Sequence, residues 1–285
     1  MRTLVHLSDL HFGRIDAPLI PPLLATITRC KPDVVVVSGD LTQRARTREF
    51  LAARTFLDAL PTPQVVVPGN HDVPLYNLFG RFVRRLDKYQ RYITPDLAPF
   101  YADEEIAIVG LNSARSSVFK GGRINRQQLA WLRQRLRAVA PGVVKIIVTH
   151  HPFDVPAGSQ ESAVVGRARL AIGTFAACGV DLLLAGHVHR SYLGSTATRY
   201  TMGGYAALIV QAGTASSTRI RGEANTLNVL RIAWPHITVE RLAWQPSRAV
   251  FTAVASDSFH RTPEGWVADS HVPEIDLGDP APHPA

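Results

Sequence analysis

The sequence predicts an α/β protein, and three features of the chain support this class. Six short runs of mostly Val, Ile and Leu occur before residue 190, and they are too continuous for strands with one solvent-facing side. Helical patterns lie between several of them, which is typical of strand–helix–strand units that build a largely parallel sheet. After residue 203 strand-like runs follow with few helices, so we expect an antiparallel or mixed second sheet on the same body.

The strand-like runs share short length and β-branched character. In chain order, the first six are TLVHLSD, DVVVVSGD, QVVVPGN, IAIVGLN, VVKIIVTH and VDLLLAGH. The later runs are YAALIVQAG, TLNVLRIAW, HITVERLAW and AVFTAVA. Because the first six are apolar at consecutive positions, we expect them to be buried on both faces.

Three segments between the runs have helical periodicity. The first, TREFLAARTFLDAL, follows the second run. The second, NRQQLAWLRQRLRAVA, precedes the fifth run and places Leu129, Leu132 and Leu136 on one face. The third, GRARLAIGTFAACG, precedes the sixth run and reaches Gly179, a residue type that commonly ends helices.

The composition is that of a globular protein. The chain has 285 residues, 46% of them hydrophobic and 19% charged, with neither a repeat nor a Pro/Gly/Ser linker in its body. We therefore expect one domain over residues 1–270. Residues 271–285 contain three acids, four prolines and no Lys or Arg, so we expect a disordered acidic tail.

The chain start and the cysteines indicate a compartment. Cys30 and Cys178 lie far apart and in no metal-type spacing, which favours a reducing environment. Polar residues interrupt the first apolar run at once, unlike a signal peptide, and no apolar segment is long enough for a membrane helix. We expect a soluble cytoplasmic protein without membrane insertion.

The charge suits an anionic partner. The net charge is +8, and residues 1–270 hold 31 basic against 20 acidic residues, a charge of +11. A small anionic substrate or a nucleic acid fits such a body, and so does simple solubility. We favour the small substrate over nucleic acid and leave homo-oligomerisation open.

Five of the runs end in polar residues. These strand ends carry Asp9, His11, Asp40, Asn70, His71, Asp72, His150, His187 and His189. Ligands bind beyond the carboxyl ends of parallel strands in open α/β sheets, so these side chains are expected to converge. Each motif alone also fits a turn or a surface histidine. Together they predict a pair of metal ions, because buried carboxylates and imidazoles need a compensating charge.

The motifs SDLH, SGD, GNHD, THHP and GHVH resemble those of the calcineurin-like metallophosphoesterase family. Within it, the chain looks most like bacterial cyclic-nucleotide and glycerophosphodiester phosphodiesterases. The resemblance implies an αββα sandwich of two mixed β-sheets flanked by helices. It also implies that Asp9, His11 and His189 hold one metal, that Asn70, His150 and His187 hold the other, and that Asp40 bridges them. His151 is then a supporting residue.

The ligand types restrict the chemistry. Imidazole, carboxylate and amide donors without thiolate favour manganese, iron or zinc. We expect a metal-bound hydroxide to attack a small phosphodiester such as 3′,5′-cyclic AMP. The resemblance gives His71 the role of general acid or charge stabiliser. Asp72 either holds the His71 ring nitrogen or caps a turn.

Other functions stay open. A glycerophosphodiester, a nucleotide-lipid pyrophosphate or a phosphomonoester could be the substrate instead. The basic body keeps a nuclease open, and a non-catalytic scaffold of the same fold is the reading outside enzymology.

Three segments could contact the substrate. Residues 76–101 carry Arg81, Arg84, Arg85, Lys88 and Arg91, and the solvated face of a helix is the favoured reading. The loops 116–124 and 217–228 also carry cations, including Arg219 and Arg221 in the second. We favour plain surface turns for both loops, and a chain turn for Asn112.

Overall fold

A computed structural model of the chain describes residues 1–74, 86–114, 121–219 and 222–269. Within these ranges thirteen strands form two sheets and five α-helices pack on them. The strands are β1 Arg2–Leu7, β2 Val34–Val37, β3 Gln64–Val66, β4 Phe100–Ala102, β5 Ile106–Gly110, β6 Val144–Val148, β7 Leu182–Ala185, β8 Tyr192–Ser195, β9 Leu208–Gln211, β10 Thr226–Ala233, β11 His236–Gln245, β12 Val250–Thr262 and β13 Gly265–Ala268. The helices are α1 Ile20–Arg29, α2 Thr47–Asp58, α3 Asp87–Tyr92, α4 Arg126–Arg137 and α5 Ala168–Cys178.

The six apolar runs divide between the two sheets. The first sheet has the order β13-β12-β11-β10-β1-β2-β3, in which only β1, β2 and β3 are parallel neighbours. The second has the order β4-β5-β6-β7-β9-β8, in which β5, β6, β7 and β9 are parallel. The expectation of one parallel sheet followed by a separate C-terminal sheet is therefore wrong. The late strands instead extend both sheets, since β10 pairs antiparallel with β1 and β9 pairs parallel with β7.

The two sheets pack face to face with helices outside, so the expected αββα sandwich of two mixed sheets is confirmed. The four valines of β2 show the layering. Val34 and Val36 join the core between the sheets, whereas Val35 and Val37 pack with α1 and α2. All four are buried, which explains why this strand is apolar at every position.

The predicted helices form with the expected ends. In α4, Leu129, Leu132 and Leu136 are buried in the core between this helix, α5 and the second sheet. Helix α4 begins at a capping box in which the Asn125 side chain accepts from the amide of Gln128. Helix α5 ends at Gly179, which has the left-handed conformation that favours glycine.

Part of the basic segment 76–101 lies outside the described residues, including Arg81, Arg84 and Arg85. Its described part contains α3, in which Lys88 donates to the carbonyl of Ala45 at 3.1 Å, and the start of β4. Residues 271–285 also lie outside, so the domain boundary at residue 270 stays a prediction. Among the described helices, none has the length and apolar character needed to cross a membrane.

Candidate metal centre

The polar strand ends meet at one end of the sandwich. Asp9 and Asp40 follow β1 and β2 of the first sheet, and His150 and His187 follow β6 and β7 of the second. The amide of Asp9 donates to the carbonyl of Gly39 at 3.1 Å, so the parallel pairing continues into the loops. The amide of His187 donates to Oδ2 of Asp9 at 2.9 Å, which joins the two sheets at this point.

The first group of donors consists of Asp9, His11, Asp40 and His189, all buried. The Nε2 atoms of His11 and His189 lie 3.2 Å apart. Oδ1 of Asp9 lies 3.3 Å from Nε2 of His189 and 3.5 Å from Nε2 of His11. One ligand atom from each of the four residues lies within 4.8 Å of the others, so the four could hold one metal ion.

The second group centres on His150. Its Nε2 lies 3.1 Å from Oδ1 of Asn70 and 3.3 Å from Nδ1 of His187. His151 also lies close to this group, but its Nδ1 is 2.8 Å from the hydroxyl oxygen of Ser113 and its ring packs on His187. These contacts agree with the supporting role expected for His151.

Asp40 lies between the two groups. Its Oδ1 is 3.3 Å from Nε2 of His150, and its Oδ2 is 3.6 Å from Nε2 of His11. One carboxylate therefore presents one oxygen to each group, which is the arrangement that a bridging ligand requires.

Hydrogen bonds set which imidazole nitrogen faces the site. Nδ1 of His150 donates to the carbonyl of Ser38 at 2.8 Å. Nδ1 of His189 lies 3.0 Å from the carbonyl of Arg219 and 2.9 Å from the hydroxyl of Thr214. Since a carbonyl only accepts, both rings turn Nε2 towards the donor groups, as metal-ligating histidines do.

The donor set fits metal ions. Donor separations of 3.1 to 3.6 Å match those around an ion held at about 2.1 Å from nitrogen and oxygen ligands. Among the described residues, Oδ1 of Asp9 is a buried acceptor with no hydrogen-bond partner, so a cation would supply the missing interaction. Each group could hold one ion.

Protonation in the site suits ligation. Burial alone would raise the pKa of Asp9, but the imidazoles around it, above all His189, hold that pKa well below its ordinary value. Burial lowers the pKa of His11 to about 4 and of His187 to about 3. Burial also acts to lower the pKa of His150, but the attraction of the Asp40 carboxylate is stronger and raises this pKa to about 9. A metal ion at His150 must therefore displace a proton.

The backbone is strained where the ligands lie. In the described chain nine non-glycine residues have positive φ, and five of them are predicted ligands. These five are Asp9, His11, Asp40, His187 and His189. Each such conformation costs of order 1–3 kcal/mol and persists only when the surrounding structure imposes it, which is typical of functional sites.

Two glycines make room for the ligands. Gly39 has a φ of +97°, and a β-carbon there would meet the His150 ring at 2.7 Å. A β-carbon at Gly186 would overlap Ser8 and crowd Oδ2 of Asp9. The glycines of the SGD and GHVH motifs are thus required by close packing against ligands in the neighbouring loops.

Asp72 does not hold the His71 ring, which corrects one of its two predicted roles. Its carboxylate accepts from the amides of Leu41, Thr42 and Gly69 and from the Thr42 hydroxyl, at 2.9 to 3.2 Å. Nδ1 of His71 donates instead to the carbonyl of Gln43 at 2.8 Å. Burial, and then the Asp40 charge, raise the pKa of Asp72 to about 6. Asp72 therefore ties two ligand-bearing loops together, as a turn cap would.

Arg219 lies in the site, although its loop was expected to be a plain surface turn. Its Nη1 is 3.0 Å from Nε2 of His71. It lines a cleft of about 430 Å³ together with Asp40, Asn70, His187 and the loop 158–163. Arg219 is thirty residues beyond the last motif, so no spacing in the sequence pointed to it, and Arg221 lies outside the described residues.

Two of the minor predictions concern nearby turns. Oδ1 of Asn112 accepts from the amide of Ala114 at 2.9 Å, so the predicted turn role is confirmed. In the loop 116–124, residues 116–120 lie outside the described part of the chain. A β-carbon at Gly122 would overlap the His151 ring, which gives this glycine a packing role.

A family model described as calcineurin-like phosphoesterase matches residues 2–191, a range that contains all seven predicted ligands. The chain belongs to this family. The resemblance drawn from the five motifs is therefore confirmed.

Curated relatives in the family are phosphodiesterases by name. A probable glycerophosphodiester phosphodiesterase GpdQ of Arcobacter nitrofigilis is 32% identical over 56% of this chain and 58% of its own length. A GpdQ of Enterobacter lignolyticus is 29% identical over 55% of this chain and 59% of its own length. A probable cyclic nucleotide phosphodiesterase of Synechococcus is 24% identical over 67% and 74%. The chain thus spans less than two thirds of the two GpdQ proteins.

Solved structures support the fold. A purple acid phosphatase from yellow lupin superposes with a TM-score of 0.67 at 12% identity, over 91% of this chain and 54% of that one. A dimetal phosphatase from Danio rerio superposes with a TM-score of 0.63 at 14% identity, over 88% and 98%. At these identities the likeness concerns the sandwich alone.

Proposed function

We propose that this protein is a dinuclear-metal-dependent phosphodiesterase that hydrolyses a small phosphodiester by direct attack of water. The observation that carries the proposal is the position of Asp40, whose two carboxylate oxygens face two separate groups of buried donors. A single-ion site would not need both groups. A non-catalytic scaffold would have no use for five ligands in strained backbone.

We assign the ligands as the family resemblance implies. Asp9, His11 and His189 would hold one ion, Asn70, His150 and His187 the other, and Asp40 both. Two bound ions, of manganese, iron or zinc, would supply an activated water and positive charge against the phosphoryl oxygens. The chain supplies the orientation, because backbone carbonyls and Asp72 fix the ligands before substrate binds.

His71 is not among the ligands and serves the substrate. Its Nδ1 donates to a carbonyl and its Nε2 accepts from Arg219, so the ring is neutral and carries its proton on Nδ1. In this state Nε2 has no proton to give to a leaving group. Of the two roles that the resemblance allows, these hydrogen bonds disfavour general acid catalysis, and they leave charge stabilisation to act through the guanidinium that His71 holds.

The cleft favours a small substrate. About 430 Å³ is at the low end of the size of small-molecule sites. The relatives' names offer two diester classes, cyclic nucleotides and glycerophosphodiesters, and we favour a 3′,5′-cyclic AMP-like substrate. The pyrophosphate, monoester and nuclease readings remain the alternatives.

The test is a panel of substrates and metals. The protein is stripped of metal, reloaded with Mn²⁺, Zn²⁺ or Fe²⁺, and assayed with bis(p-nitrophenyl) phosphate, p-nitrophenyl phosphate, cyclic AMP and a glycerophosphodiester. We expect metal-dependent turnover with higher kcat/KM for diesters than for the monoester. Asp40→Asn, purified in parallel, sets the background from contaminating phosphatases.

Two results would redirect the proposal. Monoester preference with every metal would exclude a phosphodiesterase. Cleavage of DNA that falls steeply between 50 and 200 mM salt, with no cleavage of small diesters, would favour a nuclease.

A further inference from the structure

Arg219 combines two separate contacts with the candidate centre. Its backbone carbonyl accepts from Nδ1 of His189, and its guanidinium donates to Nε2 of His71. The amide of Arg219 also donates to the hydroxyl of Ser217, which itself donates to the carbonyl of Arg14. The main chain of residue 219 is thus anchored independently of its side chain.

Arg219 is part of the wall of the cleft, and its guanidinium contacts another residue of that wall, His71. Arg219 lines the cleft beside Asp40, Asn70 and His71, and its side chain is half-buried. The contact with His71 uses one of the five N–H donors of a guanidinium, whose planar fork matches the geometry of phosphoryl oxygens. A neutral imidazole is a suitable support, because it accepts a hydrogen bond from the guanidinium without adding a negative charge beside it.

We infer that Arg219 binds a non-bridging phosphoryl oxygen of the substrate and that His71 positions it for this contact. The inference rests on the proposed function, and it adds a residue from outside the five motifs to the substrate site. If the inference holds, His71 acts on turnover in part indirectly, by orienting the Arg219 guanidinium.

The competing explanations are a purely structural Arg219 and a general effect of positive charge. Arg219→Ala and Arg219→Lys keep the carbonyl that His189 uses, so the backbone role is preserved in both. Arg14→Ala is the matched control, because Arg14 is an exposed cation in the adjacent loop that does not line the cleft. All variants are loaded with Mn²⁺, and their metal content is measured.

Turnover of bis(p-nitrophenyl) phosphate and binding of inorganic phosphate by calorimetry are compared. We expect Arg219→Ala to lower kcat/KM and to weaken phosphate binding, each on the order of 10- to 100-fold, since a charge-assisted contact is lost. The kcat/KM and phosphate affinity of Arg219→Lys should lie between those of Arg219→Ala and the wild type. Guanidinium chloride at millimolar concentration should restore part of the activity of Arg219→Ala. Arg14→Ala should stay within twofold of the wild type.

The coupling to His71 has its own signature. If His71 positions Arg219, the loss in the double variant His71→Ala/Arg219→Ala should be clearly smaller than the product of the two single losses. Multiplicative losses would show that the two residues act independently and would contradict the positioning role.

The inference fails if Arg219→Ala matches Arg14→Ala in both turnover and phosphate affinity. It also fails if Arg219→Ala loses metal, since its effect would then pass through His189. A wild type that binds phosphate but turns over no diester would refute the proposed function and not Arg219, because the phosphate arm still reports on the guanidinium.

Discussion

Gly69 lies directly against Asp40, and a β-carbon at residue 69 would overlap both the carboxylate oxygen Oδ1 and the backbone nitrogen of Asp40. Asp40 is the residue that faces both donor groups, so this contact fixes the centre of the site. The backbone nitrogen cannot move aside cheaply, and the carboxylate would have to shift.

We therefore predict that Gly69→Ala folds but loses metal and activity. Turnover should fall at least 100-fold, and metal per chain should drop below that of the wild type. Gly203→Ala is the control, because a β-carbon there meets no atom within 4 Å. Full metal occupancy and normal turnover in Gly69→Ala would show that Asp40 need not occupy this position.

Asp72 is predicted to act on stability. Its carboxylate accepts four hydrogen bonds. In Asp72→Asn, the side-chain NH2 group would face some of these N–H and O–H donors and could not accept from them. Asp72→Asn should lower the free energy of unfolding by about 1–3 kcal/mol and leave the pH profile of kcat in place. The control variant Asp58→Asn lies on the exposed surface of α2 and should change the free energy of unfolding by no more than about 1 kcal/mol. A shifted pH profile without loss of stability would instead support a role through the His71 ring.

His71 is predicted to be needed for turnover and not for metal binding. Its ring nitrogens contact Gln43 and Arg219, so removing the ring leaves the donor groups intact. His71→Ala should keep the wild-type metal content and lower kcat on the order of 100-fold or more, because charge stabilisation at the phosphoryl group is weakened. Turnover equal to that of the wild type would remove His71 from the mechanism, and loss of metal would make it part of the coordination site.

His6 gives the fold a defined acid sensitivity. The residue is fully buried, its Nε2 lies 2.9 Å from the hydroxyl of Ser38, and burial lowers its pKa to about 3. In the unfolded chain the His6 ring takes up a proton near pH 6.5, whereas in the folded chain it does not. The stability that this difference contributes is therefore complete above pH 6.5 and is lost as the pH falls towards 3.

Between pH 7 and pH 5 this single site should cost the wild type ~2 kcal/mol of unfolding free energy. Urea unfolding of the metal-free wild type and of His6→Gln at both pH values measures the difference. The variant should lose ~2 kcal/mol less than the wild type over this interval. Equal losses in the two proteins would mean that His6 is protonated in the folded state.

The sequence predicted the parts of this molecule that depend on local pattern. The periodicity of Leu129, Leu132 and Leu136 and the stop at Gly179 identified helices, because both reflect interactions within a few residues. The polar residues after each buried run predicted where donors would converge, because the carboxyl ends of parallel strands lie at the same edge of a sheet.

The features that it did not predict depend on long-range packing. The pairing of β10 with β1 joins residues more than two hundred positions apart, so the periodicity of the runs could not assign strands to sheets. The approach of Arg219 to His71 and the bonds from Asp72 to the loop after β2 arise only when the loops are packed. The positive φ angles of the ligands are likewise imposed by the assembled site.

The central claim is that Asp40 joins two metal ions in one site. The most direct test of this claim is a titration of the metal-free protein with Mn²⁺ that is monitored by calorimetry and by electron paramagnetic resonance. We predict two ions per chain with a spin-coupled spectrum in the wild type, and loss of the coupling in Asp40→Ala. Binding of a single ion, or an uncoupled pair that Asp40→Ala leaves unchanged, would contradict the account.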